Sequence, residues 1–145
     1  MTNLKKILRW LLFLPISILC GWLVFLAFDN FVGRYIGPGT LGSYINHIAA
    51  GGLSGAATVY IGVYIAPSYE KKVAIGYAVI TLIVLILSLT LPIFYPESFI
   101  SLTNREYFSF LDNLTEVARN IGMFYMAWNI YRGKVVFEKT RKLGL

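Results

Sequence analysis

The chain has 145 residues, of which 57% are hydrophobic and only 14% charged, whereas soluble domains carry about 25% charged residues. This balance argues against a water-soluble core and makes lipid the expected solvent. Lys and Arg number 13 against 7 acids, but the cations fall in the gaps between apolar runs and no folded basic platform is evident, so nucleic acid is not an expected partner.

Four apolar stretches fill most of the length: Ile7 to Phe28, Leu41 to Ala66, Val73 to Leu91 and Leu111 to Tyr131. About 20 apolar residues rising 1.5 Å each cover a hydrocarbon core of roughly 30 Å, so each stretch predicts a transmembrane helix. The expected fold class is all-α: a polytopic membrane protein whose four transmembrane helices form an up-down-up-down bundle, a single domain over residues 1–145.

The first helix is expected over 7–28. Its basic start resembles that of a signal peptide, but the apolar run exceeds the roughly 7–15 residues of a signal core and no small-x-small cleavage site follows it. Leu19 stands where a lipoprotein site needs a small residue before Cys20. Pro15 is expected to kink the helix. As the sole cysteine, Cys20 excludes an internal disulfide or a cysteine-cluster metal site and is read as a small packing residue.

Gly33, Gly37, Pro38 and Gly39 make the first outer loop, and the second helix, 41–66, begins near Thr40 or Leu41. Along it His47, Gly51, Gly55, Thr58, Gly62 and Ala66 recur at spacings of three and four, forming one ridge of small residues. In lipid such a ridge lets a neighbouring backbone approach closely, and that packing replaces the hydrophobic drive of water. The glycines lie inside a span without a nucleotide-fingerprint lysine or acid, so they do not read as a phosphate cradle. A tight connection, 67–72, predicts that the second helix and the third, 73–91, form an antiparallel hairpin of neighbours.

An outer segment, 93–110, alternates aromatic and polar residues and is expected at the headgroup level, where aromatic rings are satisfied. Thr103 and Glu106 have capping-box spacing for the start of the last helix, 111–131. On that helix Asp112, Glu116, Arg119, Asn120, Met123 and Ala127 share one face, a polar stripe that must look toward protein or water. Glu116 and Arg119 are spaced to pair. The tail, 132–145, mixes Lys134, Lys139, Arg141 and Lys142 with Val135, Val136 and Phe137, and reads as a basic segment lying on anionic lipid.

Charge sets the orientation. Lys5, Lys6 and Arg9, then Lys71 and Lys72, then the cations of the tail all fall on one side, while the other side holds Arg34 and Arg105 among acids. The positive-inside rule therefore places both termini in the cytoplasm, in a bacterial inner membrane. Asn46 and His47 enter from the outer side at the depth of Glu116. If the small ridge of the second helix packs on the polar stripe of the fourth, Asn46, His47, Asp112, Glu116, Arg119 and Asn120 gather into an outward-facing polar cluster. That cluster reads first as structural glue and second as a functional pocket.

No cofactor is expected. One histidine does not supply two axial haem ligands, zinc lacks its three or four ligands, and no nucleophile, base and orienting group recur in a catalytic arrangement. The first expectation for function is a non-catalytic accessory or scaffold subunit packing in lipid as a homo-oligomer or with other membrane-protein subunits. The alternatives are an oligomeric channel or transporter with Asp112, Glu116 and Arg119 at its outer mouth, and a lipid- or quinone-handling subunit using His47 and Glu116.

Overall fold

The computed structural model describes residues 3–36, 40–66, 69–94, 110–135 and 137. Among the described residues there are four helices and no strand: α1 (Asn3–Gly33), α2 (Leu41–Ile65), α3 (Glu70–Phe94) and α4 (Phe110–Tyr131). Two of them, α1 over Ile7–Gly33 and α2 over Leu41–Ile65, are long and apolar enough to cross a membrane.

α1 continues a full turn beyond its expected end at Phe28. Asp29 and Asn30 are polar but do not break a helix, and Asn30 Nδ2 donates to Leu26 O at 2.8 Å, so the helix stops only where Gly33 begins a turn closed by Tyr35 N to Val32 O and Ile36 N to Gly33 O. Pro15 sits inside α1 without ending it. Just beyond, the Ser17 hydroxyl donates to Leu14 O at 2.8 Å. α2 opens on Thr40, which has an extended backbone and whose hydroxyl accepts the Ser43 N–H at 3.3 Å, an N-cap that satisfies one of the helix's orphan donors.

α2 occupies the middle. Gly21 of α1 lies against Ser54 and Thr58, and Gly33 lies against Asn46, so α1 and α2 run antiparallel. Gly51 faces Thr115 and Gly55 faces Arg119, so α2 and α4 run parallel. This parallel pair and the α1–α2 pair are the most extensive contacts in the molecule. α3 leans mainly on α4 and meets α2 lightly, where the Tyr77 ring covers Gly62. The α2–α3 hairpin expected from the short connection is present as a contact of neighbours at Gly62 and Tyr77, but the larger partner of α3 is α4. A short link fixes the separation of two helix ends; side-chain fit fixes the rest.

The buried cluster consists of Val59, Val63, Ala74, Tyr77, Ala127, Ile130 and Phe137. Phe137 corrects the reading of the tail as a surface segment. Gly133 adopts φ 72°, Lys134 N donates to Asn129 O at 2.9 Å and Gly133 N to Ile130 O at 3.0 Å. This is a Schellman turn, in which a left-handed glycine reverses the chain and satisfies the last carbonyls. The reversal returns Phe137 to α2, with ring centroids 5.2 Å from Tyr60 and 6.2 Å from Tyr64. Of the expected outer segment, 93–94 close α3 and 110 opens α4, while 95–109, including the capping-box pair, lie outside the described residues, as do 138–145.

Candidate functional site

The polar residues converge at the end of the bundle where α1 finishes and α2 begins. The α1 face that points to α2 is a series four residues apart, Ser17, Gly21, Phe25, Asp29 and Gly33. Residues at that spacing stack along one side of a helix. Its last three members build one wall of the site.

Asp29 is the hub. Its Oδ1 accepts from Asn46 Nδ2 at 3.2 Å, and His47 Nδ1 stands 3.6 Å from the same oxygen, an ionic distance when the imidazole is protonated and too long for a hydrogen bond. Asn46 is 4% exposed. The Phe25 ring lies beside His47, with centroids 6.4 Å apart, and the Arg119 guanidinium sits over that ring at 5.7 Å. A cation over an aromatic face is attracted by the ring quadrupole. Arg119 also forms an ion pair with Glu116 one turn earlier on α4, and Asn120 Nδ2 donates to Glu116 O at 2.8 Å.

Asn46, His47, Glu116, Arg119 and Asn120 therefore belong to one region, but they form two groups joined through Phe25. Asn46 bonds to Asp29 of α1 and His47 stands beside the same carboxylate, while Glu116, Arg119 and Asn120 are linked along α4 itself. His47 has the Asp29 carboxylate 3.6 Å away and, among the described residues, meets the α4 group across the Phe25 ring. Asp112 lies in the first turn of α4, and its side chain is outside the described residues. With His47 neutral, Asp29, Glu116 and Arg119 leave the site one negative charge.

Asp29 and Phe25 are the two members that composition and charge counting miss. Asp29 reads as a loop charge when the helix is ended with the apolar run. The signal that finds it is the four-residue series from Ser17 to Gly33, which carries the helix through it.

The predicted packing ridge is used within the chain and divides among three partners. A Cβ on Gly51 would stand 2.6 Å from Thr115 O, and one on Gly55 2.0 Å from Arg119 O, both on the α4 backbone. Thr58, which donates to Ser54 O at 2.9 Å, fills the space over Gly21 of α1. Gly62 receives Tyr77 of α3. Ala66 is 1% exposed and caps α2 with its N–H on Gly62 O at 3.0 Å.

Two buried atoms of the site, Asn46 Oδ1 and Arg119 Nε, have no hydrogen-bond partner among the described residues. Each such group carries a desolvation cost of about 1–3 kcal/mol unless matched. The site can therefore take one further donor at Asn46 and one further acceptor at Arg119. Among the described residues no group of three His, Cys, Asp or Glu side chains is placed to hold a metal ion. No protein-family model, curated protein or solved structure matches the chain.

Proposed function

We propose that this chain is a multi-pass integral membrane protein of four spans, with both termini in the cytoplasm of a bacterium, that acts as a non-catalytic accessory or scaffold subunit in a larger assembly. The observation that carries the reading is the mutual pairing of the polar groups on α1, α2 and α4: Asn46 on Asp29, Arg119 on Glu116 and on the Phe25 ring. The Asn46–Asp29 hydrogen bond joins α2 to α1 and the Arg119–Phe25 contact joins α4 to α1; such contacts hold helices in register, an interhelical hydrogen bond adding about 0.6 kcal/mol in lipid. The apolar surface supports the membrane part of the reading. Only 11% of the most apolar stretch of α1 is buried, and Leu11, Ile18, Leu23, Ile80, Ile83 and Leu87 are each at least half exposed or nearly so, a surface suited to lipid or to partner helices. Because the α2 ridge is filled inside the chain, the exposed faces of α1 and α3 remain for a partner.

The test is extraction from native membranes in mild detergent, followed by size analysis and identification of co-purifying chains. Recovery in a defined complex, homomeric or mixed, is the expected result; a monomer that alone moves a solute in liposomes overturns the scaffold reading. Labelling a cysteine placed at Leu145 in intact cells, in a Cys20→Ala background, tests the topology. Labelling from outside overturns it.

The unmatched Asn46 Oδ1 and Arg119 Nε favour a second reading, a polar path between copies with Glu116 and Arg119 at its outer mouth. Ion or solute flux that is lost in Glu116→Gln supports that reading, and flux that is absent or unaffected by the substitution removes it.

A further inference from the structure

α1 and α3 point in the same direction, yet among the described residues their backbones do not meet. What joins them is the Tyr77 side chain, whose hydroxyl lies 2.6 Å from the buried Ser17 Oγ and whose ring meets Phe13 edge-on at 6.3 Å. Beside this brace, between the first halves of the two helices, lies a cleft of about 410 Å³ walled by Trp10, Phe13, Val73, Gly76 and Ile80. That volume is within the roughly 300–1,000 Å³ usual for ligand sites. Gly76 faces open space in this cleft: a Cβ at this position would meet nothing within 4 Å.

The mouth is charged. Lys72 lines the cleft, and its ammonium stands 5.1 Å above the Tyr69 ring. Tyr69 has φ 62°, a left-handed backbone that side-chain-bearing residues rarely take. Glu70 follows Tyr69 and opens α3, Lys71 comes next in the same first turn, and Arg9 precedes Trp10 on α1. An apolar slot with a cation and aromatic rings at its entrance matches an amphiphile whose head is negative and whose tail is a hydrocarbon chain.

We propose that this cleft holds one acyl chain of an anionic phospholipid, with the phosphate of that lipid at Lys72. The proposal rests on the membrane reading given above. On that reading Lys71, Lys72 and Arg9 lie at the cytoplasmic surface, the leaflet in which a juxtamembrane cation attracts anionic lipid.

The test is native mass spectrometry of the full chain released from mixed micelles containing equal amounts of phosphatidylglycerol and phosphatidylcholine. One retained phosphatidylglycerol per chain is expected. Gly76→Leu fills the slot and abolishes retention, while Lys72→Gln leaves the slot open and lowers the preference for phosphatidylglycerol about fivefold. Equal retention of the two lipids by the unaltered chain, or undiminished retention by Gly76→Leu, overturns the proposal. So does a change of oligomeric state in Gly76→Leu with lipid retention unaltered, which makes the cleft a contact between copies. If Gly76→Leu does not fold, Lys72→Gln, on the exposed rim, decides: an unchanged preference overturns the proposal. Flotation with phosphatidylglycerol vesicles separates the two levels of failure. A chain that does not float removes the membrane reading and this inference together; one that floats but retains no lipid removes this inference alone.

Discussion

Replacing Gly55 by alanine tests the α2–α4 contact most directly. The added Cβ would stand 2.0 Å from Arg119 O, 2.9 Å from Arg119 C and 3.0 Å from Met123 Cγ. Ordinary contact begins near 3.4 Å. The first two atoms are backbone and cannot swing aside, so restoring ordinary contact requires α2 and α4 to separate locally by about 1.4 Å, and a gap of even about 1 Å forfeits up to half of each pair's dispersion well. Overpacking of this kind costs about 1–3 kcal/mol. The clash here is with main chain, which puts the expected cost at the upper end, and the better helix propensity of alanine offsets about 1 kcal/mol. The net expectation is a loss of about 2 kcal/mol. Gly52→Ala is the control, because its Cβ would lie 3.7 Å from Ala118 O, with nothing else within 4 Å. Only the propensity term remains there, and stability should hold or rise by up to about 1 kcal/mol. The assay is reversible unfolding of the two variants in mixed micelles, followed by circular dichroism. Equal midpoints for Gly55→Ala and Gly52→Ala would refute the close backbone approach.

Asp29→Ala removes the acceptor of the buried Asn46 amide and is expected to cost about 1–3 kcal/mol; a loss below about 0.5 kcal/mol in the same unfolding assay contradicts its role as hub. Tyr77→Phe deletes the hydroxyl that meets Ser17 and keeps the ring over Gly62. Its expected cost is about 0.6 kcal/mol, measured against Ser17→Ala in a double-mutant cycle, where additive effects would show that the two hydroxyls do not interact. Phe137→Ala empties the place against Tyr60 and Tyr64 and should cost about 3 kcal/mol. It should also speed tryptic cleavage after Lys134, and an unchanged cleavage rate would mean that the tail is not held by that ring.

The helices could be read from the sequence because apolar length is a local property. α2 starts at Leu41 where the apolar run begins and α4 at Phe110 beside the start of its own run, and the contact of Gly51 and Gly55 with α4 matches the two faces that the spacing pairs. The end of α1 lies beyond the apolar run for a physical reason: hydrophobicity falls at Asp29, but helix geometry persists until Gly33 releases it. The partner of α3 was hidden because a link of a few residues constrains two ends and says little of the lengths between. Small residues show that something comes close, not what, so the division of the α2 ridge among α1, α3 and α4 required the structure. Phe137 was hidden by its neighbours, since a basic segment looks solvent-bound until the Schellman turn at Gly133 carries its one large ring inward. Within the site, Asn46, His47 and the Glu116–Arg119 pair were found by depth and spacing, while Asp29 and Phe25 required the four-residue series of α1 to be followed past the apolar run.

The parallel α2–α4 pairing sets an order on biosynthesis. When Ile65 has been made, α1 is already available to cover one side of α2, but the Gly51 and Gly55 side has no cover until α4 is synthesised from Phe110 onward. At roughly 5–20 residues per second, adding the intervening stretch of about 45 residues takes about 2–9 s. Throughout that interval the nascent chain carries an unfilled backbone groove, which makes the half-made protein a client for whatever machinery shelters such surfaces beside the ribosome.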